Sequence, residues 1–178
     1  MDVLGNLVSR SILVHRRDEA EALSGVNGDA GDDAVDASPV VEQGRQALEN
    51  ICKHPGVGDS SGDILDVLIV GAGPAGFAAS LGAMEHKLKS VTIEQETLGG
   101  TVSHFPRGKL VMTAPVKLPI VGKVTFTETT KEELLAFWEG VERKTGLKIQ
   151  YQERLEDIIA EAGIYQVKTS KRSYRART

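Results

Sequence analysis

The chain has 178 residues, of which 40% are hydrophobic, 26% are charged and 4% are aromatic, and its formal net charge is −4. This charge creates no field that would attract nucleic acid or an anionic membrane, and the scarcity of aromatic residues argues against a surface for stacking bases. The single cysteine, Cys52, excludes an internal disulfide bond and is typical of a reducing compartment, so we expect a cytoplasmic protein.

The N-terminal part of the chain has the composition of a tail. Residues 1–22 interleave apolar side chains with arginines, which predicts a short amphipathic helix. Acidic residues dilute the positive face of this helix, so we do not expect it to contact a membrane. Residues 24–39 are rich in glycine and aspartate and cannot bury enough apolar surface to fold, which predicts an acidic linker.

A second short helix and a second linker are predicted before the domain begins. Apolar residues near helical spacing over 40–52 predict a helix that either packs or docks on a partner. Residues 54–62 are rich in Gly, Pro, Ser and Asp and predict a linker that leads to the first strand. We therefore divide the chain into an N-terminal tail, residues 1–62, and one globular domain, residues 63–178.

A strand followed directly by a three-glycine turn dominates the middle of the chain. The apolar residues 67–70 lead into Gly71-Ala72-Gly73-Pro74-Ala75-Gly76, and the small residues that follow favour a helix. Gly71 allows a tight turn, Gly73 lets a pyrophosphate approach the backbone, and Gly76 lets the helix lie close to the sheet. Phosphates would bind the unpaired N–H groups at the helix N-terminus. This order is the fingerprint of a dinucleotide-binding unit.

An acidic residue ends the next predicted strand, residues 90–93. Glu94 lies about 20 residues beyond the glycines, where such units place the acid that accepts hydrogen bonds from a ribose diol. Gln95 follows Glu94 and joins the candidate binding residues. His104, further along, has no acidic or nucleophilic partner at a recognisable spacing, so we predict no catalytic residue and no metal site.

The second half of the predicted parallel unit contains a well-marked helix. Residues 106–124 include three prolines and predict an irregular excursion. Thr130-Lys131-Glu132-Glu133 is a capping box that begins a helix, Trp138 lies on its apolar stripe, and Gly146 ends it. Residues 147–151 then predict a third parallel strand, because a crossover helix precedes them.

The C-terminal residues predict an antiparallel β-meander with strands over residues 155–160, 164–169 and 174–178. No turn or cap follows the last of these strands, so we expect it to leave an open sheet edge. The fold class that follows is α/β, with a narrow three-stranded parallel sheet and an antiparallel meander.

From residue 66 to residue 178 the sequence resembles the two-dinucleotide-binding-domain flavoproteins, and within them the thioredoxin-reductase-like pyridine nucleotide-disulfide oxidoreductases. The resemblance rests on the glycine fingerprint, on Glu94 with Gly99-Gly100-Thr101, and on the meander. It implies a Rossmann-like FAD-binding domain. By the same resemblance, the Gly-Gly turn passes the ribityl and pyrophosphate groups, Thr101 donates its hydroxyl to the cofactor, and the backbone around Leu155 contacts the adenine.

Two features limit what the resemblance implies. The sequence contains no Cys-x-x-Cys, so the thiol chemistry of the best-known family members is not carried over. Such proteins also have a second glycine fingerprint on a nicotinamide-binding domain, whereas this sequence contains one fingerprint. We therefore expect the chain to be truncated before the domain that would bind NAD(P)H.

The leading hypothesis is the FAD-binding part of a flavoprotein oxidoreductase that takes electrons from NAD(P)H and passes them to an unknown acceptor. The alternative is a non-catalytic dinucleotide-binding or partner-docking module, in which the acidic tail and the helix over residues 40–52 make the contacts. An NAD-dependent dehydrogenase is disfavoured, because the sequence has no Tyr-x-x-x-Lys pattern and no placed His-acid pair. The choice between NADH and NADPH, the role of residues 1–62 and the oligomeric state, including a homodimer, stay open.

Overall fold

The computed structural model describes residues 36–112, 114–126 and 128–178. These residues contain three α-helices and one 3₁₀ helix: α1 (Ser38–Ile51), α2 (Pro74–Glu85), α3 (Lys131–Thr145) and the 3₁₀ helix Gly100–His104. The amphipathic helix predicted over residues 1–22, and most of the acidic linker after it, lie outside the described residues. The predicted helix over residues 40–52 is confirmed, although it begins two residues earlier, at Ser38.

The strands of the described residues are short, and they form four sheets. In chain order they are β1 (Ile64–Leu65), β2 (Val67–Val70), β3 (Ser90–Ile93), β4 (Leu110–Met112), β5 (Val116–Leu118), β6 (Gly122–Val124), β7 (Thr129–Thr130), β8 (Ile149–Gln150), β9 (Leu155–Glu161), β10 (Ile164–Thr169) and β11 (Ser173–Ala176).

The parallel sheet has the order β2-β3-β8, which confirms the three predicted parallel strands. Val67 pairs with Ser90, and Thr92 pairs with Ile149. The third strand is shorter than predicted, because only two of its residues pair. Since all three strands point the same way, their carboxyl ends lie at one edge of the sheet, and this edge is where parallel sheets bind ligands.

The meander is confirmed, but the expectation of an open edge at its last strand is wrong. The sheet order is β1-β11-β10-β9, so β11 is paired on both sides. Ala176 pairs with Leu65 on one side and with Tyr165 on the other. Beyond the strand, the N–H of Leu68 donates to the carbonyl of Thr178 over 2.8 Å. The residues that cover this edge, β1, lie in a segment too short to predict as a strand.

Helix α1 packs along α2 as part of the domain core. Its apolar side chains are buried, and Leu48 and Ile51 share a hydrophobic cluster with Val67 and Ile69 of the parallel sheet. Val41 belongs to the largest cluster, together with Phe77 of α2. Burial of an apolar side chain contributes roughly 1.5–3 kcal/mol, so α1 stabilises the domain on which it packs.

Helix α3 has the predicted capping box. The N–H of Thr130 donates to the Glu133 carboxylate over 2.9 Å, and the Thr130 hydroxyl accepts from the N–H of Glu133 over 3.4 Å. Gly146 ends the helix with a φ of +74°. Trp138 is a core residue as predicted, because it is 1% exposed and its ring centroid lies 5.4 Å from that of Phe77.

Of the two segments predicted to be irregular, one contains strands and the other does not. Residues 106–124 contain β4 and the hairpin β5–β6, in which Val116 and Leu118 are buried while Lys117 between them is exposed. This alternation is the two-residue period of a strand. Residues 54–62 have no helix or strand, as predicted for a linker. They are nevertheless held to the domain, because the buried Asp66 carboxylate accepts from the N–H groups of Gly58 and Ser60 over 2.8 and 3.2 Å.

Candidate cofactor site

The glycine turn connects β2 to α2 at the carboxyl edge of the parallel sheet. Gly71 has a φ of +101°, a backbone conformation that residues other than glycine rarely adopt. Gly73 is the N-cap of α2, and no side chain caps the helix there. Pro74 follows with its ring in the first turn, where the missing N–H costs no hydrogen bond. The first-turn N–H groups of α2 are therefore not taken by a side-chain cap.

Gly76 is required by a close approach inside this turn. A Cβ on Gly76 would lie 2.0 Å from the carbonyl oxygen of Gly71. No such contact is sterically allowed, so the first turn of α2 folds back over the end of β2 only with glycine at this position. Ala75, beside it, is buried.

The glycine turn meets two later segments of the chain at the peptide groups of Ala72. Its N–H donates to Oε2 of Glu94 over 2.8 Å, and its carbonyl accepts from the N–H of Gly99 over 2.9 Å. The neighbouring N–H of Gly71 donates to the carbonyl of Ile93 over 2.8 Å. The glycine turn, the strand-ending acid and the Gly-Gly turn thus form one hydrogen-bonded unit.

The Glu94 side chain is 5% exposed and its carboxylate is held by backbone donors. Besides the bond from Ala72, its Oε1 accepts from the N–H of Glu96 over 2.8 Å. A carboxylate offers about four lone-pair sites, so about two remain for hydroxyl groups of a ligand. Gln95 lies between these two acids and is half-buried.

The Gly-Gly turn adopts a conformation that depends on glycine. Gly99 and Gly100 have φ values of +103° and +51°. A Cβ on Gly99 would lie 2.4 Å from Cδ2 of Leu135 on α3. Thr101 follows as the second residue of the 3₁₀ helix and is half-buried. The turn therefore passes close to both α3 and the glycine fingerprint.

Leu155 begins β9, two residues after Glu153. The N–H of Glu153 donates to the carbonyl of Glu94 over 2.9 Å, which brings the start of β9 close to the strand-ending acid. The Glu153 side chain is buried, and its Oε1 accepts from the hydroxyls of Thr169 and Tyr174 over 2.6 and 3.0 Å. Burial, together with this bond to Glu153, raises the pKa of Tyr174 to about 12.

The expectation that His104 lacks an acidic partner is wrong. Its Nε2 lies within hydrogen-bonding distance of the Glu96 carboxylate. The sequence separation of eight residues gave no signal, because the 3₁₀ helix folds His104 back over the loop. Both side chains are more than a third exposed, and an exposed pair of this kind contributes little energy.

Two further features, a cluster of metal ligands and a helix able to span a membrane, are absent from the part of the chain that the structure describes. No group of three or more His, Cys, Asp or Glu side chains there is placed to hold a metal ion. No helix within those ranges is both long and apolar enough to cross a membrane.

Sequence reasoning missed two residues that shape this site. Glu153 fastens the start of β9 to the last turn of the meander, and its role depends on contacts that no local pattern shows. Gly44 of α1 lies against Ala75 in the first turn of α2. A signal for Gly44 existed, since a glycine inside a helical pattern usually has a packing reason.

A family model described as pyridine nucleotide-disulphide oxidoreductase matches residues 68–178, which is more than half of the chain. The chain belongs to the pyridine nucleotide-disulphide oxidoreductase family. The match begins inside β2 and includes the glycine turn, Glu94, the Gly-Gly turn and the whole meander. The predicted family is therefore confirmed, and the Rossmann-type fold of the chain agrees with it.

Proteins that are similar to this family member match parts of the chain. A 34.2 kDa protein in the rubredoxin operon of Clostridium pasteurianum is 44% identical over 48 residues, which are 24% of this chain and 16% of that protein. The bacillithiol disulfide reductase of Staphylococcus aureus superposes with a TM-score of 0.57 at 18% identity, covering 65% of this chain and 37% of that chain. Thioredoxin reductase from Streptococcus pyogenes gives a TM-score of 0.50 at 25% identity, covering 66% and 34%. The chain thus spans about a third of the length of these reductase structures.

Proposed function

We propose that the chain is the FAD-binding part of a flavoprotein oxidoreductase that takes electrons from NAD(P)H. The observation that carries this proposal is the unit around Ala72, which joins the glycine turn to Glu94 over 2.8 Å and to Gly99 over 2.9 Å. Each of these groups is suited to bind a different part of a dinucleotide. The helix N-terminus suits a diphosphate, and the acid suits a ribose diol.

Each candidate residue has a role in this proposal. Gly71 and Gly73 shape the turn beside the pyrophosphate. After Pro74, which has no N–H, the backbone N–H groups of Ala75 and Gly76 hold the pyrophosphate. Glu94 accepts from the ribose hydroxyls. The backbone at Leu155 contacts the adenine, which the link between Glu153 and Glu94 supports. Gly99, Gly100 and Thr101 follow the cofactor toward the flavin, and Gln95 borders the ribose.

The chemistry comes from the cofactor, since bound FAD accepts a hydride from a reduced nicotinamide. The residues of this chain bind and orient FAD. The sequence has a single cysteine, so the proposal includes no dithiol step on this chain. We therefore do not propose a disulfide substrate for this protein, although relatives are named as disulfide reductases.

We also propose that the domain begins upstream of residue 62, and at α1. The support is the burial of Val41, Leu48 and Ile51 against α2 and the parallel sheet. This packing uses the apolar face that the partner-docking alternative needed for contacts elsewhere. It therefore favours the cofactor-binding function over a docking helix at residues 40–52.

The proposal is tested by adding excess FAD to the purified chain, removing free cofactor by gel filtration, and recording the visible spectrum. We expect about one FAD per chain, with a dissociation constant from flavin fluorescence that is much lower than that of FMN. FMN is the control, because it lacks the adenosine that Glu94 and Leu155 would hold. A folded chain that retains no FAD, or binds FMN equally well, would contradict the proposal.

A further inference from the structure

Helix α1 approaches the phosphate-binding turn more closely than a helix normally packs. Gly44, buried in the middle of α1, lies directly against Ala75, the second residue of α2. A Cβ on Gly44 would lie 2.1 Å from the carbonyl oxygen of Ala75 and 2.7 Å from its Cα. Glycine is unfavourable inside a helix relative to alanine, so this contact gives the position a packing reason.

The two helices run in the same direction. Val40 and Gly44 of α1 contact Ala75 at the start of α2, and one turn further along, Leu48 of α1 contacts Gly82 near the end of α2. Their N-termini therefore lie at the same end of the domain, beside the glycine turn. The first half of α1 packs on the first turn of α2, and the second half packs on its last turns.

The contact bears on one particular peptide group. The carbonyl of Ala75 and the N–H of Gly76 belong to the same planar unit, so one cannot move without the other. Gly44 borders this unit from α1. On the side of the glycine turn, the Cβ position of Gly76 lies 2.0 Å from the Gly71 oxygen. Two close glycine contacts, one from each neighbouring segment, thus fix the Ala75–Gly76 peptide.

We infer that Gly44 is a positioning residue for the bound diphosphate, and that α1 therefore belongs to the cofactor-binding unit although it precedes the fingerprint. This inference rests on the proposed function. A side chain at position 44 pushes the Ala75 carbonyl, and the N–H of Gly76 tilts with it. A donor must reach its acceptor within about 2.7–3.2 Å and at a favourable angle, so a displaced first turn binds the diphosphate less well.

The first test compares Gly44→Ala with Gly140→Ala. Gly140 is a matched control, because it also lies inside a helix and nothing lies within 4 Å of its Cβ position. We expect Gly44→Ala to raise the dissociation constant for FAD at least about tenfold, and Gly140→Ala to leave it within about twofold of the parent. Binding is measured at a temperature at which circular dichroism shows each variant fully folded. Equal constants for the two variants would overturn the inference.

The second test weakens the contact between α1 and the first turn of α2 by removing atoms instead of adding one. It can be carried out even if Gly44→Ala does not fold. Val40→Ala loosens α1 at Ala75, whereas Ile51→Ala loosens it at the far end, near Ala83. Both changes should lower the unfolding temperature, but only Val40→Ala should weaken FAD binding markedly. If the loss of FAD affinity follows the unfolding temperature at both positions, α1 is merely structural and the inference is wrong. A parent chain that binds no FAD would instead overturn the proposed function, and this inference with it.

Discussion

Gly76 shows how a single missing side chain shapes the site. Its Cβ position lies 2.0 Å from the Gly71 oxygen, which is itself part of a fixed turn. We predict that Gly76→Val leaves a folded chain that no longer retains FAD, because the first turn of α2 must move away from the glycine turn. The measurement is the FAD content after gel filtration, with circular dichroism to establish folding. Tight FAD binding by a folded Gly76→Val protein would remove this turn from the site.

Glu94 is predicted to bind the ribose with the lone pairs that Ala72 and Glu96 leave free. Glu94→Gln keeps the shape of the side chain, removes the charge, and turns an amide N–H₂ toward the backbone N–H of either Ala72 or Glu96. We expect FAD binding to weaken by about 1.5–3 kcal/mol, the range for a hydrogen bond to a charged group. This is roughly a ten- to 150-fold rise in the dissociation constant. Glu139→Gln on the exposed face of α3 is the control, and an unchanged constant in Glu94→Gln would exclude Glu94 from binding.

Asp66 makes the stability of the chain depend on pH. Burial alone would raise the pKa of Asp66, but hydrogen bonds from Ser60, Lys89 and Gly58 outweigh burial, and the pKa is lowered. A carboxyl with a lowered pKa in the folded state stabilises it above the unfolded pKa, near 4, and loses this contribution as the pH falls. Asp66→Asn should therefore reduce the free energy of unfolding by about 1–3 kcal/mol at pH 7.

The check for Asp66 is urea unfolding of both proteins between about pH 7 and pH 3, the interval that spans the unfolded carboxyl pKa. The difference in the free energy of unfolding between the parent and Asp66→Asn should shrink as the pH decreases. A difference that stays constant over this interval would show that the Asp66 charge does not account for the effect.

At the scale of elements, helix α3 supports the site from outside. Its start is fixed by the reciprocal bonds between Thr130 and Glu133, and Leu135 on its surface contacts the Gly99 turn. Thr130→Ala removes the cap, and we expect it to lower the free energy of unfolding by about 1 kcal/mol. The FAD dissociation constant of the folded variant should stay unchanged, since Trp138 and Leu134 still anchor the helix in the core. Urea unfolding and flavin fluorescence test the two expectations separately.

At the scale of the whole molecule, binding and turnover should separate. The sequence contains one glycine fingerprint, which the structure places at β2 and α2, and FAD is proposed to use it. We therefore predict that the 178-residue chain binds FAD but does not oxidise NADH or NADPH faster than free flavin does. Absorbance at 340 nm is followed with an artificial electron acceptor in excess. Sustained turnover would show that a second nucleotide site exists on this chain.

The sequence determined the elements whose signals are local. The apolar run before Gly71-Ala72-Gly73-Pro74-Ala75-Gly76, the acid after the second strand and the capping box at Thr130 all predict structure from neighbouring residues. The structure places each of them in the element predicted. The family could be predicted from the sequence for the same reason, because the three glycines and the acid both lie within a single βαβ unit.

Only the tertiary structure decided which distant segments meet. Leu65 pairs with Ala176 of the last strand, and Gly44 lies against Ala75. The local sequence around Leu65 or Gly44 does not indicate which residue it contacts. Short strands such as β1 and helix contacts such as that of Gly44 form on the sheet edges and helix surfaces that the larger elements leave exposed. Their position depends on the shape of the assembled core, whereas periodicity, capping and turn conformation depend on neighbours in the chain.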